Sequence, residues 1–180
     1  MCTGIPFRNM SKPSLFFILL FYFSFIEHIN SFFLSRHMMV ITKRMSQAKQ
    51  EALEWLERFH EVNSFLNAEK FVTEFFTEDA VMQYANNPPV KGHHDLIQNF
   101  KANFDQVDML EHETEHVDVL PDRIYQTIYV SFKIKGDPEV VRLRGLRVFH
   151  KAPEEQKMQR YDVFADITPI MEKIKRRQQV

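Results

Sequence analysis

Apolar residues recur at three- and four-residue steps over residues 47–66, and glutamate and arginine occupy many of the positions between them. This spacing is typical of an amphipathic helix with one apolar face. The apolar face predicted for this first helix consists of Ala52, Trp55, Leu56, Phe59, Val62 and Leu66. Asn67, followed by Glu69, has the features of the N-cap and first turn of a second helix. A third helix is predicted from about His94 to Phe104.

After the third helix, apolar residues alternate with polar ones, which is the period of a β-strand. Strands are predicted over residues 80–84, 110–120, 123–135, 140–150 and 158–166. Helices grouped ahead of a run of strands indicate an α+β fold rather than alternating β-α-β units. We therefore predict a cone-shaped α+β barrel, in which three N-terminal helices pack on a curved antiparallel sheet.

The first 45 residues differ in composition from the rest. Residues 15–26 (LFFILLFYFSFI) form an apolar run of 12 residues, whereas a membrane-spanning helix needs roughly 20. Three interpretations stay open. The segment is an upstream stretch outside the working protein, because Met38, Met39 and Met45 could each begin a shorter chain; or it is a secretory signal or membrane anchor; or it is part of the core.

We accordingly predict three regions and a location. Residues 1–45 form an apolar, phenylalanine-rich extension outside the fold, residues 46–170 form the folded domain, and residues 171–180 form a basic tail. The expected location is cytoplasmic. Secretion or membrane anchoring through residues 15–26 is the alternative.

Composition and charge exclude several classes of function. The four glycines are isolated, so no glycine-rich loop is available to bind a phosphate. The single cysteine cannot form a disulfide framework or a thiolate-rich zinc site. Residues 46–180 carry 18 basic and 23 acidic groups, and a net negative charge repels the phosphate backbone of a nucleic acid. We predict no nucleic-acid partner, no metal and no other cofactor.

Three short motifs occur in a characteristic order: FFTEDAV at residues 75–81, Val90-Lys91-Gly92 ahead of the third helix, and YDVFAD at residues 161–166. Together they resemble the nuclear transport factor 2-like superfamily, and within it the SnoaL-like and ketosteroid isomerase-like domains. The resemblance covers roughly residues 47–168. It implies a homodimer formed through the open sheet face. The superfamily contains isomerases, cyclases, dehydratases and domains without activity, so the resemblance alone does not assign a function.

Ketosteroid isomerases use a carboxylate base together with a tyrosine and a protonated carboxylic acid. The resemblance places His60 at the tyrosine position, Tyr84 at the position of the base and Gly145 at the position of the acidic donor. None of the three has the expected side chain. The steroid isomerase mechanism therefore does not transfer to this chain.

Dehydratases of the superfamily use histidine and tyrosine instead. We predict His60, Tyr84 and His112 as acid-base residues, because a histidine titrates near neutral pH and a tyrosine hydroxyl can donate to a carbonyl oxygen. The predicted pocket-lining residues are Trp55, Phe59, Val81, Phe100 and His150. The alternative for each histidine is a structural one, either bonded to the backbone or exposed on the outer face of the sheet.

Spacing along the strands predicts the faces on which two pairs of side chains lie. His112 and His116 are four residues apart in a strand, which predicts a shared face and a Cα separation of about 13 Å, too far to bind one metal ion. Arg142 and Arg144 also share a face. They point inward, toward a carboxylate or enolate, or outward, toward acidic neighbours such as Glu113.

These observations leave two functional hypotheses. The first is a domain that binds a small hydrophobic molecule and acts as a cofactor-independent isomerase, cyclase or dehydratase on a polyketide-like or other hydrophobic carbonyl compound. The alternative is a non-catalytic domain of the same fold that forms homodimers or carries a ligand.

Overall fold

The structure is a computed structural model that describes the backbone of residues 15–177 and the side chains of residues 38–176. The chain divides into two compact units, Met1–Met45 and Ser46–Val180. In the first unit the described residues all belong to helix α1, which spans Leu15–Ser64 and continues into the second unit. The ends of the predicted extension and tail, residues 1–14 and 178–180, lie outside the described residues. The predicted domain division stays a prediction.

No helix within the described backbone combines the length and the apolar character that crossing a bilayer requires.

The described part of the second unit contains three further helices and six strands. They are α2 (Ala68–Phe75), β1 (Phe76–Tyr84), β2 (Val90–Lys91), α3 (Gly92–Phe104), β3 (Val107–Leu120), β4 (Arg123–Ile134), β5 (Val140–His150), β6 (Met158–Ala165) and α4 (Thr168–Arg177).

The six strands form one sheet in the order β2-β1-β6-β5-β4-β3, with free edges at β2 and β3, and it does not close into a barrel. Strands β3 to β6 form the predicted antiparallel meander. The sheet is mixed rather than antiparallel throughout, because β1 and β6 run parallel, with Tyr84 opposite Val163. Parallel neighbours need a long connection, which α3 and the meander supply. The predicted α+β class with a cone-type fold is confirmed.

The apolar face of α1 packs against the sheet largely as its spacing predicts. Ala52, Trp55, Leu56, Phe59 and Val62 are all buried. Leu66 lies beyond the end of the helix, with a positive φ of 55°. Asn67 caps α2 as predicted, since its Oδ1 atom accepts a hydrogen bond from the backbone N–H of Lys70 at 2.9 Å. Local spacing therefore predicts both the apolar face of the first helix and the start of the second.

The face of the sheet that packs against α1 is called the inner face below. In β4 the alternate residues Ile124 and Gln126 are completely buried on it. Cross-strand pairing sets Phe149 of β5 opposite Ile124, and Arg147 opposite Gln126. Phe149 also contacts Phe59 of α1, with ring centroids 5.1 Å apart. Gln126 and Arg147 therefore face the interior beneath α1.

Replacing Phe59 by alanine is expected to lower the free energy of unfolding by about 3–5 kcal/mol. The reason is that the Phe59 ring is completely buried and packs against the rings of six neighbours, Trp55, His60, Phe71, Phe75, Phe149 and Tyr161. Urea denaturation followed by the fluorescence of the single tryptophan measures the change. The matched control is Phe65→Ala, at a position 56% exposed, with an expected change below about 0.5 kcal/mol. Equal losses in the two variants would contradict this description of the core.

Candidate functional site

Two histidine rings stack on each other at the inner face. His60 extends from α1 and His112 from β3, and their ring centroids are 4.7 Å apart with an interplanar angle of 8°. The elements position both rings: His60 follows the buried Phe59 in α1, and His112 lies opposite the buried Val130 of β4. The structure therefore brings together two of the three predicted acid-base residues.

A buried glutamine amide connects His60 to the sheet. The Nε2 atom of Gln126 donates a hydrogen bond to the Oγ1 atom of Thr114 at 2.8 Å. The Nε2 atom of His60 lies 3.2 Å from both the Oε1 and the Nε2 atoms of Gln126. The amide can therefore accept a hydrogen bond from one tautomer of the imidazole or donate one to the other.

The imidazole of His112 has one nitrogen in contact with a polar group and one without. Its Nδ1 atom lies 3.5 Å from the Oγ atom of Ser64, a weak contact. Ser64 donates its hydroxyl proton to the carbonyl oxygen of His60 at 2.9 Å, so its Oγ atom remains an acceptor for the Nδ1–H group of His112. The lone pair of the ring is then on Nε2, which is buried without a hydrogen-bond partner in the described part of the chain.

Arg147 adds a buried positive charge beside these neutral groups. The residue is 8% exposed, and a guanidinium stays protonated in proteins. Its Nη1 atom has no hydrogen-bond partner within the described residues. Arg147 also takes part in none of the ion pairs that the described side chains form. Most buried polar atoms are hydrogen-bonded, so an exception of this kind marks a site that needs an explanation.

Burial and Arg147 together keep both histidines neutral. Burial lowers the pKa of His60 to about 4, with a smaller lowering by the charge of Arg147 and an opposing contribution from the hydrogen bond to Gln126. Burial, then the charge of Arg147, then His60 together lower the pKa of His112 to about 2. Desolvation disfavours the charged form of an imidazole, and a nearby positive charge acts in the same direction.

Tyr84 lies on the same inner face but two strands away from Arg147. The pairing runs from Arg147 to Val163 of β6 and from Val163 to Tyr84 of β1. The Tyr84 hydroxyl donates to the backbone oxygen of Ala165 at 3.3 Å. Burial raises the pKa of Tyr84 to about 12, and Tyr161 adds to the rise while Arg147 opposes it. Tyr84 therefore remains a protonated hydrogen-bond donor at neutral pH.

Among the predicted pocket-lining aromatic residues, Phe59 contacts the stacked histidines, with its ring centroid 5.9 Å from that of His60. Phe59 is completely buried in the core, and Phe100 packs against Phe71, Phe76 and Phe104. The indole N–H of Trp55 donates to the backbone oxygen of Gln156 at 2.8 Å. Trp55 also lines a cleft of about 410 Å³ whose other walls include Glu54, Arg58 and Glu154.

Val81 and His150 lie on the outer face of the sheet, so the structure does not place them at the pocket. Val81 follows the buried Ala80 and precedes the buried Met82 in β1, and strand side chains alternate between faces. The Nε2 atom of His150 lies 2.8 Å from the Oδ2 atom of Asp162. His150 therefore contacts a carboxylate on the neighbouring strand β6.

His116 does not share the face of His112, and that prediction is wrong. A β-bulge between Thr114 and His116 shifts the pairing by one residue, so that Val117 lies opposite Gln126 while His116 lies opposite Thr127. One extra residue in a strand reverses the faces of all the residues after it. His116 is exposed and pairs with Asp118.

Arg142 and Arg144 point outward. Arg142 pairs with Glu113 and Arg144 with Glu115, both on β3, two strands away across β4. Arg147 follows them in the same regular strand at an odd number of positions, and side chains at odd steps along a strand lie on opposite faces, so Arg147 points inward. This inward position was not predicted. The two-residue spacing of Arg147 from Phe149 predicts a face shared with that residue, but alternation in β5 does not show which face is buried.

A mixed sheet packed on a long helix, with polar groups on the face beneath that helix, matches the nuclear transport factor 2-like fold that the motifs predict. Residues 53–161 match the SnoaL-like domain family. The match covers more than half of the chain, and the chain belongs to this family.

Solved structures support the same fold. BvnE pinacolase from Penicillium brevicompactum has 13% identity and a TM-score of 0.62, over 74% of this chain and 94% of its own. A proposed SnoaL-like polyketide cyclase from Jannaschia sp. CCS1 has 17% identity and a TM-score of 0.58, over 68% of this chain and 90% of its own. No protein of curated function matches the sequence. At these identities the similarity establishes the fold alone.

His60 and His112 are expected to stay neutral in the folded protein at pH 5, because burial and Arg147 both lower their pKa values. Nuclear magnetic resonance of the histidine ring nitrogens, recorded from pH 7 to 5, measures their titration. A midpoint near 6.5 for His60 or His112 would contradict the buried geometry.

The same shifts predict how stability depends on pH. An unfolded histidine has a pKa near 6.5, so the unfolded state binds more protons than the folded state below that value. Folding stability should therefore fall as the pH falls from about 6.5 toward 4, by up to about 1.4 kcal/mol per pH unit for each histidine. Urea denaturation between pH 7 and 5 tests this dependence. A His60→Gln/His112→Gln variant should have a flatter profile, whereas His116→Gln should keep the original one.

Proposed function

We propose that the protein binds a small carbonyl compound at the inner face and transfers a proton on it without a cofactor. His112 acts as the base, His60 supports it through the ring stack, and Tyr84 donates a hydrogen bond to the carbonyl oxygen. The observation that supports this proposal is the Nε2 atom of His112, a buried and unpartnered lone pair on a neutral ring. A general base needs an unprotonated atom that can reach the substrate proton.

The proposed first step removes a proton from the carbon next to the carbonyl group. The Nε2 atom of His112 takes the proton, and the electrons of the broken C–H bond form the enolate. Returning the proton from His112 to another carbon isomerises the compound. Transfer of that proton to a hydroxyl group on the carbon next to the enolate carbon releases water and dehydrates the compound. Attack of the enolate carbon on a second carbonyl carbon, whose oxygen takes the proton, closes a ring. Polyketide cyclase is the name of one structural relative, which supports a polyketide-like carbonyl compound as the substrate class.

The proposal is tested by the exchange of α-protons for solvent deuterium in 2-tetralone, an aromatic bicyclic ketone, followed by nuclear magnetic resonance. The full chain should accelerate exchange above the buffer rate. His112→Gln should lower the enzymatic rate by about 10²- to 10⁴-fold, the range for the loss of a general base. His116→Gln is the matched control on the same strand and should leave the rate unchanged, because His116 is exposed on the other face.

A non-catalytic ligand carrier is the second candidate, and one observation favours it. A pKa of about 2 makes His112 a weak base in the ligand-free protein, whereas a general base works best with a pKa near the working pH. Binding of 2-tetralone without α-proton exchange would support the carrier. Equal exchange rates for the native chain and His112→Gln would also exclude the acid-base role.

The homodimer implied by the superfamily remains a proposal. Native mass spectrometry of the full chain is expected to give a species at twice the chain mass of 21.6 kDa. A species at the chain mass alone, at micromolar concentration, would contradict it.

A further inference from the structure

Arg147 is the most unusual charged residue among those the structure describes. Apart from the exposed Arg44, the other arginines whose side chains the structure describes each form an ion pair with a carboxylate; they are at positions 58, 123, 142, 144, 160 and 176. Arg147 is 8% exposed and forms none of these pairs. Removing a charge from water costs several kcal/mol unless a partner compensates for it. The cost of this unpaired charge indicates a compensating group that the described residues do not supply.

The groups around Arg147 do not neutralise its charge. Gln126 lies directly opposite it on β4. His60, His112 and Tyr84 are close enough for its charge to affect their pKa values, and all three are uncharged at neutral pH. The inner face therefore carries an uncompensated positive charge, although residues 46–180 are acidic overall.

A carboxylate is the group that fits this environment. The planar guanidinium offers parallel N–H donors that match the two oxygens of a carboxylate, and such charge-assisted bonds are about twice as strong as neutral ones. The free Nη1 atom supplies a donor that no described residue occupies. We propose that Arg147 binds the carboxylate of the ligand, so that the substrate class is an organic acid that also contains a carbonyl group. The carbonyl part of this inference rests on the proposed function.

A bound carboxylate would also help the proposed base. The charge of Arg147 is one cause of the lowered pKa of both His60 and His112, after burial itself. A negative ligand charge next to the guanidinium offsets this effect, so the pKa of each histidine rises when the ligand binds. Tyr84 and Tyr161, the other titratable groups that respond to Arg147, stay protonated because burial raises the pKa of each. Binding of a carboxylic acid substrate would therefore make His112 a stronger base in the complex than in the ligand-free protein.

The test compares an acid with its neutral isostere. The probes are 4-oxo-4-phenylbutanoate and its primary amide, titrated into the full chain by calorimetry at constant ionic strength and pH 7. The acid is expected to bind at least about tenfold more tightly than the amide, because only the acid forms charge-assisted bonds. Equal affinities, or no binding of either probe, would overturn the proposal without any variant.

Variants then assign the preference to Arg147. Arg147→Met should weaken binding of the acid at least about tenfold and leave binding of the amide unchanged. Arg147→Lys, which keeps the charge but loses the planar fork, should give an intermediate affinity for the acid. Arg144→Met is the control, since Arg144 lies on the outer face and pairs with Glu115, and it should bind both probes as the native chain does. An unchanged acid preference in Arg147→Met would overturn the assignment.

Thermal denaturation covers the case in which Arg147 is needed for folding. Replacing an unpaired buried charge with an apolar side chain of similar length should leave the ligand-free protein at least as stable as the native chain. The acid should raise the melting temperature of the native chain and of Arg144→Met, but not that of Arg147→Met. A large loss of stability in Arg147→Met, together with no acid-dependent shift in the native chain, would make Arg147 structural and overturn the proposal.

The outcome separates this inference from the proposed function. Selective binding of the acid without α-proton exchange would retain the carboxylate site and reject the catalytic role. Exchange on the neutral 2-tetralone that depends on His112, with no preference for the acid over the amide, would retain the catalytic role and reject the carboxylate site.

Discussion

The packing of α1 against the inner face is the constraint on which the candidate site depends. Phe59 makes this contact, with Phe149 and Tyr161 of the sheet on one side and Phe71 and Phe75 of α2 on the other. A helix advances by about 100° per residue, so once Phe59 is seated the direction of the next side chain, His60, is set as well. The position of the stacked histidines therefore follows from the aromatic core rather than from polar contacts.

The interior contains an aromatic region that stabilises the fold and a polar region whose unpaired groups lower the stability of the fold. Trp55, Phe59, Phe149 and Tyr161 form continuous ring contacts, whereas Arg147 brings an unpaired charge and His112 an unpartnered nitrogen. Native proteins have a net stability of only about 5–15 kcal/mol, so the polar region can persist only because the aromatic contacts offset its cost. Unsatisfied buried groups are rare in native proteins, and those that persist need an explanation such as a catalytic role or a bound ion.

Much of the fold was predictable because it depends on local periodicity. The apolar face of α1, the Asn67 cap and the span of β5 follow from spacing over a few residues. The candidate site was less predictable because it depends on register. The bulge after Thr114 is invisible in the alternation of β3, and it is the reason that His116 and His112 point in opposite directions. Strand β5 buries residues of both parities, such as Val148 and Phe149, so alternation alone could not assign Arg147 to a face.

The charge of the inner face sets this chain apart from the steroid isomerases that its motifs resemble. Those enzymes place a carboxylate base and a protonated carboxylic acid at the substrate, so their chemistry is built around acidic side chains. Here the corresponding positions hold Tyr84 and Gly145, and the buried charge is the guanidinium of Arg147. A positive interior favours an anionic ligand and lowers the basicity of the nearby histidines, whereas a negative interior has the opposite effects. The proposed preference for a carboxylate ligand therefore depends on the enclosed charge of Arg147 rather than on the architecture, which the two arrangements share.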